Sequence, residues 1–214
     1  MTWNNQVAVV TGGARGIGRA IALVLAQRGA AVCVNYVARA DAAEEVASEI
    51  KTGGGRAMTA GADVADFRAV QAMIEQAETQ LGPVTILVNN AGVFCQATLD
   101  TFDYEQFERM RRVNADGVIH ATRAVMASMR ARRYGRIINV ASIAAIGTAL
   151  PGSAFYAATK AEAAILTRRF AMELGTDRIT VNAVAPGFVR TDMTQGRRAP
   201  PSGRRSRGVL PSGQ

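Results

Sequence analysis

Short β-branched runs alternate with longer stretches whose apolar residues recur at helical spacing through most of this chain. Residues 7–11 read as a strand, and 16–28 as a helix with Ile17, Ile21, Val24 and Leu25 on one side. Ala31–Tyr36 is the next strand and 42–51 a helix; 56–60 is a weaker strand and Phe67–Leu81 a helix. Residues 84–89 are strongly strand-like, between Gly82-Pro83 and Asn89-Asn90-Ala91-Gly92. A long helical pattern over 104–133, with room for a break, leads to a strand at 136–141. A helix over Ala154–Leu174 and a strand over Ile179–Val184 complete the series.

Six apolar strands alternating with helices, each strand of the kind buried on both faces, predict a parallel sheet with helices on both sides. Right-handed crossovers then favour a doubly wound α/β sheet, the Rossmann type. No internal repeat or second domain is visible, so 1–194 read as one domain. From Gly196 to Gly208 every residue is Gly, Arg, Ala, Pro or Ser. Such a segment buries too little apolar surface to offset its ordering entropy, and 195–214 are expected to be a disordered tail.

A chain of 214 residues suits one core, with 49% hydrophobic and 20% charged residues as in ordinary globular proteins. No apolar run reaches a bilayer span and no signal core opens the chain, so the expectation is a cytoplasmic protein. Cys33 and Cys95 lie in apolar stretches and argue against a disulfide framework. The net charge of +8 is largely a property of the tail: without its five arginines, twenty Lys and Arg face seventeen Asp and Glu. That excludes a basic surface on the fold as evidence for nucleic-acid binding. No cluster has metal-ligand spacing. His120, alone inside a predicted helix, reads as packing, and nothing marks Cys95 as an activated thiol.

The chemistry begins at Thr11-Gly12-Gly13-Ala14-Arg15-Gly16-Ile17-Gly18, between the first strand and first helix. Phosphate needs backbone N–H groups at a helix N-terminus, where a Cβ would block its approach. Gly12 permits the turn, Gly16 the approach, and Gly18 close packing. Tyr156 and Lys160, four apart in a predicted helix, share one face. A phenol ionises near pH 10, and lowering that by about three units takes roughly 4 kcal/mol. A neighbouring ammonium together with a second close cation in a dry site is expected to supply it.

The ordered set resembles the short-chain dehydrogenase/reductases, most of all their 3-oxoacyl-[acyl-carrier-protein] and acetoacetyl-CoA reductases. It comprises the glycine loop, Asn89-Asn90-Ala91-Gly92, Asn114, Ser142, Tyr156, Lys160 and Pro186-Gly187. The resemblance covers residue 5 to about 194 and implies hydride transfer between a nicotinamide cofactor and a carbonyl. It implies Tyr156 as proton donor, Ser142 bonded to the carbonyl oxygen, Lys160 on the nicotinamide ribose, and Asn114 holding a water that relays protons to Lys160. It places cofactor beside Gly12, Arg15, Gly16, Ile17, Gly18, Tyr36, Asp63, Val64, Asn90, Ala91, Gly92, Pro186, Gly187 and Val189.

The second strand ends in Asn35-Tyr36-Val37 with no carboxylate to bind a ribose 2′-OH, while Arg15 and Arg39 can pair with a 2′-phosphate. The cofactor is therefore expected to be NADPH. Asp63 has helix capping as its alternative role. Ser142 and Tyr156 stand one residue further apart than is usual, which the Ala149-Leu150-Pro151-Gly152 loop absorbs. The resemblance also implies carrier-protein docking beside the site mouth at Arg133, with Arg132 adjacent; Met172 occupies the second such family position, with Arg168 and Arg169 nearby, and a solvated helix face is the alternative for these arginines.

Relatives continue past Met193 with further helices and a seventh strand that this chain is expected to lack, through truncation or a shifted reading frame. A tetramer contact through that strand should then vanish, while a homodimer through the helices bearing Asn114 and Tyr156 stays open. The expected activity is reduction of a 3-oxoacyl thioester, on acyl carrier protein or CoA, or of a related ketone. The alternative is an impaired remnant that at most binds nucleotide.

Overall fold

The computed structural model describes residues 3–147 and 151–194. The expected disordered tail lies outside them, as do Ala149 and Leu150. Within them six parallel strands form one sheet: β1 (Val7–Val10), β2 (Ala31–Tyr36), β3 (Ala57–Gly61), β4 (Ile86–Asn89), β5 (Gly135–Val140) and β6 (Ile179–Val184), ordered β3-β2-β1-β4-β5-β6. The chain winds outward from β1 to β3, then crosses back to lay β4 against the other side of β1. Both neighbours of β1 are parallel to it, and the doubly wound topology expected from the pattern is present.

The residues of β1 to β4 are short and apolar because both faces are covered. Val7 and Val9 join Cys33, Leu87 and Ile137 in a core under α3 (Phe67–Leu81), α5 (Gly117–Arg132) and α6 (Ala154–Leu174). Ala8 and Val10 join Val32, Val34 and Val88 under α1 (Gly16–Gln27) and α2 (Ala40–Thr52). Cys33 is fully inside the first core, where burial pushes its thiol up to about 12, so it packs as a small apolar side chain.

β6 corrects the expectation of two covered faces. Ile179 and Val181 are buried, whereas Thr180, Asn182 and Val184 are exposed. α1 and α2 lie over β1 to β3, and no described helix covers the same face of β6. The polar residues alternating along it fit that one-sided burial.

The long pattern over 104–133 is three pieces. α4 (Tyr104–Arg111) starts at an Asp103 side chain accepting from the Gln106 N–H, and a π turn at Arg112–Asp116 separates it from α5. Such single-turn widenings change which way a residue faces within a continuous helix, and often mark functional positions. Gly117 follows because a Cβ there would press on Val64.

A buried polar bridge ties the centre of the sheet to α6. Asn89 Nδ2 donates to Asn139 Oδ1 at 2.8 Å, and Asn139 Nδ2 donates to Thr167 Oγ1 at 2.8 Å. Asn139→Ala should leave the buried Asn89 amide with only its 3.5 Å contact to Thr122 Oγ1, while Thr167 keeps its bond to Ala163 O, and lower stability by about 1–3 kcal/mol. Urea unfolding checks this: the midpoint should fall with the slope unchanged.

Candidate functional site

The carboxyl ends of β1 and β4 point into the same crevice, where strand order reverses, and parallel α/β sheets bind ligands at such switch points. Thr11 clamps this crevice. Its hydroxyl donates to Val88 O and accepts from the N–H groups of Asn90 and Ala91 at 2.9 and 3.0 Å. Asn90 Nδ2 donates back to the carbonyls of Thr11 and Gly12 at 2.9 and 3.0 Å. From the other side Asn35 Oδ1 accepts the Gly12 N–H at 3.1 Å, while Asn35 Nδ2 donates to Ala60 O and Ala62 O.

Gly12 and Gly16 have φ of +60° and +55°, in the left-handed region that glycine occupies without strain. A Cβ on Gly18 would collide with the Gly12 carbonyl and the Asn90 side chain, so Gly18 lets α1 close against the loop. α1 begins after Arg15 with no side-chain cap and no acidic residue in its first turn. Its free N–H groups and positive dipole end therefore suit a diphosphate. The cradle fits a dinucleotide.

Other expected contacts spread around this cradle. Tyr36, ending β2, lays its ring on Gly61 of β3. Asp63 accepts the Ala65 N–H and shapes the turn before α3; Asp66 is the residue that caps that helix. Val64 is buried, and its carbonyl accepts from His120 Nδ1 at 2.9 Å, so the sole histidine packs and positions. Ile17 and Val189 line a groove of about 540 Å³ between α1 and the segment after β6. In that segment Pro186 O accepts the Ile143 N–H, and Gly187 lies against Ile143.

The residues expected to react gather beyond β5. Ser142 caps a short 3-10 turn through the Ala144 N–H and hydrogen-bonds the Tyr156 hydroxyl. Tyr156 packs at 4.9 Å, centroid to centroid, on Phe94. Lys160, only 5% exposed, donates from Nζ to Val140 O at 2.8 Å. The π turn directs Asn114 inward: Oδ1 accepts the Val93 N–H at 2.8 Å, and Nδ2 donates to Val93 O and Thr159 Oγ1. A Cβ on Gly92 would fall 3.3 Å from Asn114 Oδ1 and 3.4 Å from Lys160 Nζ, so both groups border the space that this glycine leaves open.

The expected lowering of the Tyr156 phenol is not what the free protein has. Burial raises it, with the Ser142 hydrogen bond opposing. Lys160 Nζ lies 6.0 Å from the Tyr156 ring centroid and spends a hydrogen on Val140. Desolvation pulls its own ammonium down to about 8. Arg133 also departs from expectation. It precedes β5 while Ser142 follows it, about 20 Å of strand away. Its guanidinium donates to Thr176 O, so within one chain it does not flank the site mouth.

Three contributors went unassigned in the sequence. Asn35, an amide closing an apolar strand, carried a readable signal. Thr11, within the glycine motif, carried one too. Thr159 donates to Tyr156 O and accepts from Asn114, but a threonine inside a helix announces nothing.

The family model described as short chain dehydrogenase matches residues 6–202. The chain belongs to that family. It is 41% identical over 196 residues to a 3-oxoacyl-[acyl-carrier-protein] reductase of Synechocystis sp., spanning 92% of this chain and 79% of the relative. It is 40% identical over 190 residues to versicolorin reductase of Emericella nidulans, spanning 89% and 71%. Among solved structures it superposes with a TM-score of 0.85 on a Burkholderia cenocepacia gluconate 5-dehydrogenase in complex with NADP and tartrate. That match has 36% identity and covers 91% of this chain and 75% of the other. As a member of the short-chain family, the chain is an oxidoreductase by descent.

Lys160 gives this site a pH signature. Its folded pKa lies below its unfolded value of 10.5, so between about 8 and 10.5 the unfolded chain holds more protons and stability from this group rises with pH. Stability of the protein relative to Lys160→Met should therefore increase by about 3 kcal/mol across that window. Melts of both proteins between pH 7 and pH 10, below the Tyr156 titration, check it.

Proposed function

We propose that the protein reduces a carbonyl to an alcohol with NADPH, its substrate a 3-oxoacyl thioester or a related ketone. The observation that carries the reading is the convergence of Ser142, Tyr156 and Lys160 beside the glycine cradle, with Lys160 buried and still hydrogen-bonded. When bound, reduced nicotinamide supplies the hydride.

The chain's own residues handle the oxygen and the proton. Ser142 and Tyr156 orient the carbonyl oxygen from one side, and Tyr156 donates its proton to that oxygen as negative charge develops. A phenol held protonated by burial is in the form this step consumes. Lys160 lies one helical turn away, where it can return a proton to Tyr156 between turnovers. Asn114 fixes Val93, keeping the Phe94 wall against Tyr156.

NADPH over NADH rests on Arg15 and Arg39 and on the missing carboxylate at the end of β2. The related 3-oxoacyl reductases favour an acyl thioester, and the versicolorin reductase keeps bulkier ketones in play. Because Arg133 faces away from the site in the single chain, CoA thioesters should serve as well as carrier-bound ones. A homodimer through α5 and α6 is part of this reading.

The test follows NADPH absorbance with acetoacetyl-CoA for the protein and for Tyr156→Phe. The variant should lose at least about a hundredfold in kcat while NADPH still raises its melting temperature. Equal turnover in the two proteins would remove Tyr156 as the acid. A melt raised by NADPH with no turnover in the unaltered protein would favour a nucleotide-binding remnant.

A further inference from the structure

Arg15 and Arg39, the cations assigned above to a 2′-phosphate, each already face a carboxylate. Arg15 Nη1 lies 3.2 Å from Asp192 Oδ2. Arg39 donates from Nε and Nη2 to Asp41 at 3.0 and 2.8 Å. The two pairs share one surface, since Arg39 also feels the charge of Asp192. Asp192 opens a short 3-10 turn in which the Thr194 hydroxyl donates to Val189 O, and the Thr191 methyl meets the space beside Gly16. The Arg15–Asp192 pair therefore ties the segment after β6 to the glycine loop.

A guanidinium engaged with one anion has fewer N–H groups to offer a second. We infer that Asp41 and Asp192 are internal competitors of the cofactor's 2′-phosphate, and that they set how strongly the site prefers a phosphorylated over an unphosphorylated dinucleotide. The inference rests on the NADPH reading. A phosphate monoester carries between one and a half and two negative charges near neutrality, roughly, and so displaces a singly charged carboxylate from an arginine. NADPH entry is then an exchange of anions, in which Asp192 lets go of the glycine loop. An unphosphorylated dinucleotide leaves both pairs closed. Asp41 also lies in the first turn of α2, where a negative charge is favourable. That placement explains a carboxylate there without requiring its two-point grip on Arg39.

Calorimetric titration of the full chain with 2′,5′-ADP and with 5′-AMP separates the possibilities. Asp41→Asn, Asp192→Asn and the double variant should each bind 2′,5′-ADP about two- to fivefold tighter, with 5′-AMP unchanged. Asp192→Glu, which keeps the charge, should stay near the unaltered protein. Unchanged or weaker 2′,5′-ADP binding in the double variant would overturn the inference, as would an equal gain for 5′-AMP. If the unaltered protein and Arg15→Ala bind the two nucleotides alike, the NADPH reading itself fails, and that outcome is distinct from the others.

Discussion

The site depends on a clamp between two parallel strands that are distant in sequence. β1 and β4 lie side by side, and beyond their ends the chains must diverge into different helices. Thr11 and Asn90 prevent the crevice from opening freely, through five hydrogen bonds whose donors and acceptors are fixed by the strand ends. Asn35 closes the same loop from β2. With the glycine loop held on two sides, the amino end of α1 has a defined direction, and Gly18 can approach Asn90 as closely as it does. Moving any one of these residues would shift the cradle and the wall on which the reacting groups rest, because Gly92 leads directly from the clamp to Asn114 and Lys160.

Much of this was readable in the residues. Strands β2 and β6 and helices α3 and α6 have the bounds their periodicity predicts, since apolar runs buried in a parallel sheet have few other places to go. The glycine spacing marked the loop that packs against Asn90, and the four-residue spacing of Tyr156 and Lys160 placed them on one helix, as the structure has them. Three features were not fully legible. The π turn at Arg112–Asp116 was legible only as room for a break in a long helical pattern, because a shift of the apolar face within so few residues looks like ordinary irregularity of spacing. Thr159 has a composition-neutral position whose meaning comes only from Asn114, 45 residues earlier. The direction of the Tyr156 titration depends on burial and on the opposing Ser142 hydrogen bond, and spacing along a helix fixes neither.

The electrostatics of the free protein are those of a site waiting for charge. Among the described residues Lys160 has a single carbonyl partner and no anion that offsets its desolvation, and its ammonium is pulled down to about 8. At the opposite end of the crevice, exposed arginines carry carboxylate partners at the surface, where water screens the pairs. The interior end is thus sensitive to small changes in dielectric, and the exterior end to salt and competing anions. One cofactor molecule would span both regimes.

The bridging of β1 to β4 also bears on how the chain folds. Val7 N donates to Thr85 Oγ1 across 78 positions, with β2, α2, β3 and α3 all lying between them. Closing so long a loop brings its entropic penalty before its contacts reward it, so this pairing belongs to the slow, late part of assembly. The first three strands and their helices can collapse locally, but the crevice does not exist until β4 arrives. A nascent chain emerging amino end first therefore acquires its nucleotide cradle only after more than a third of its length has been made.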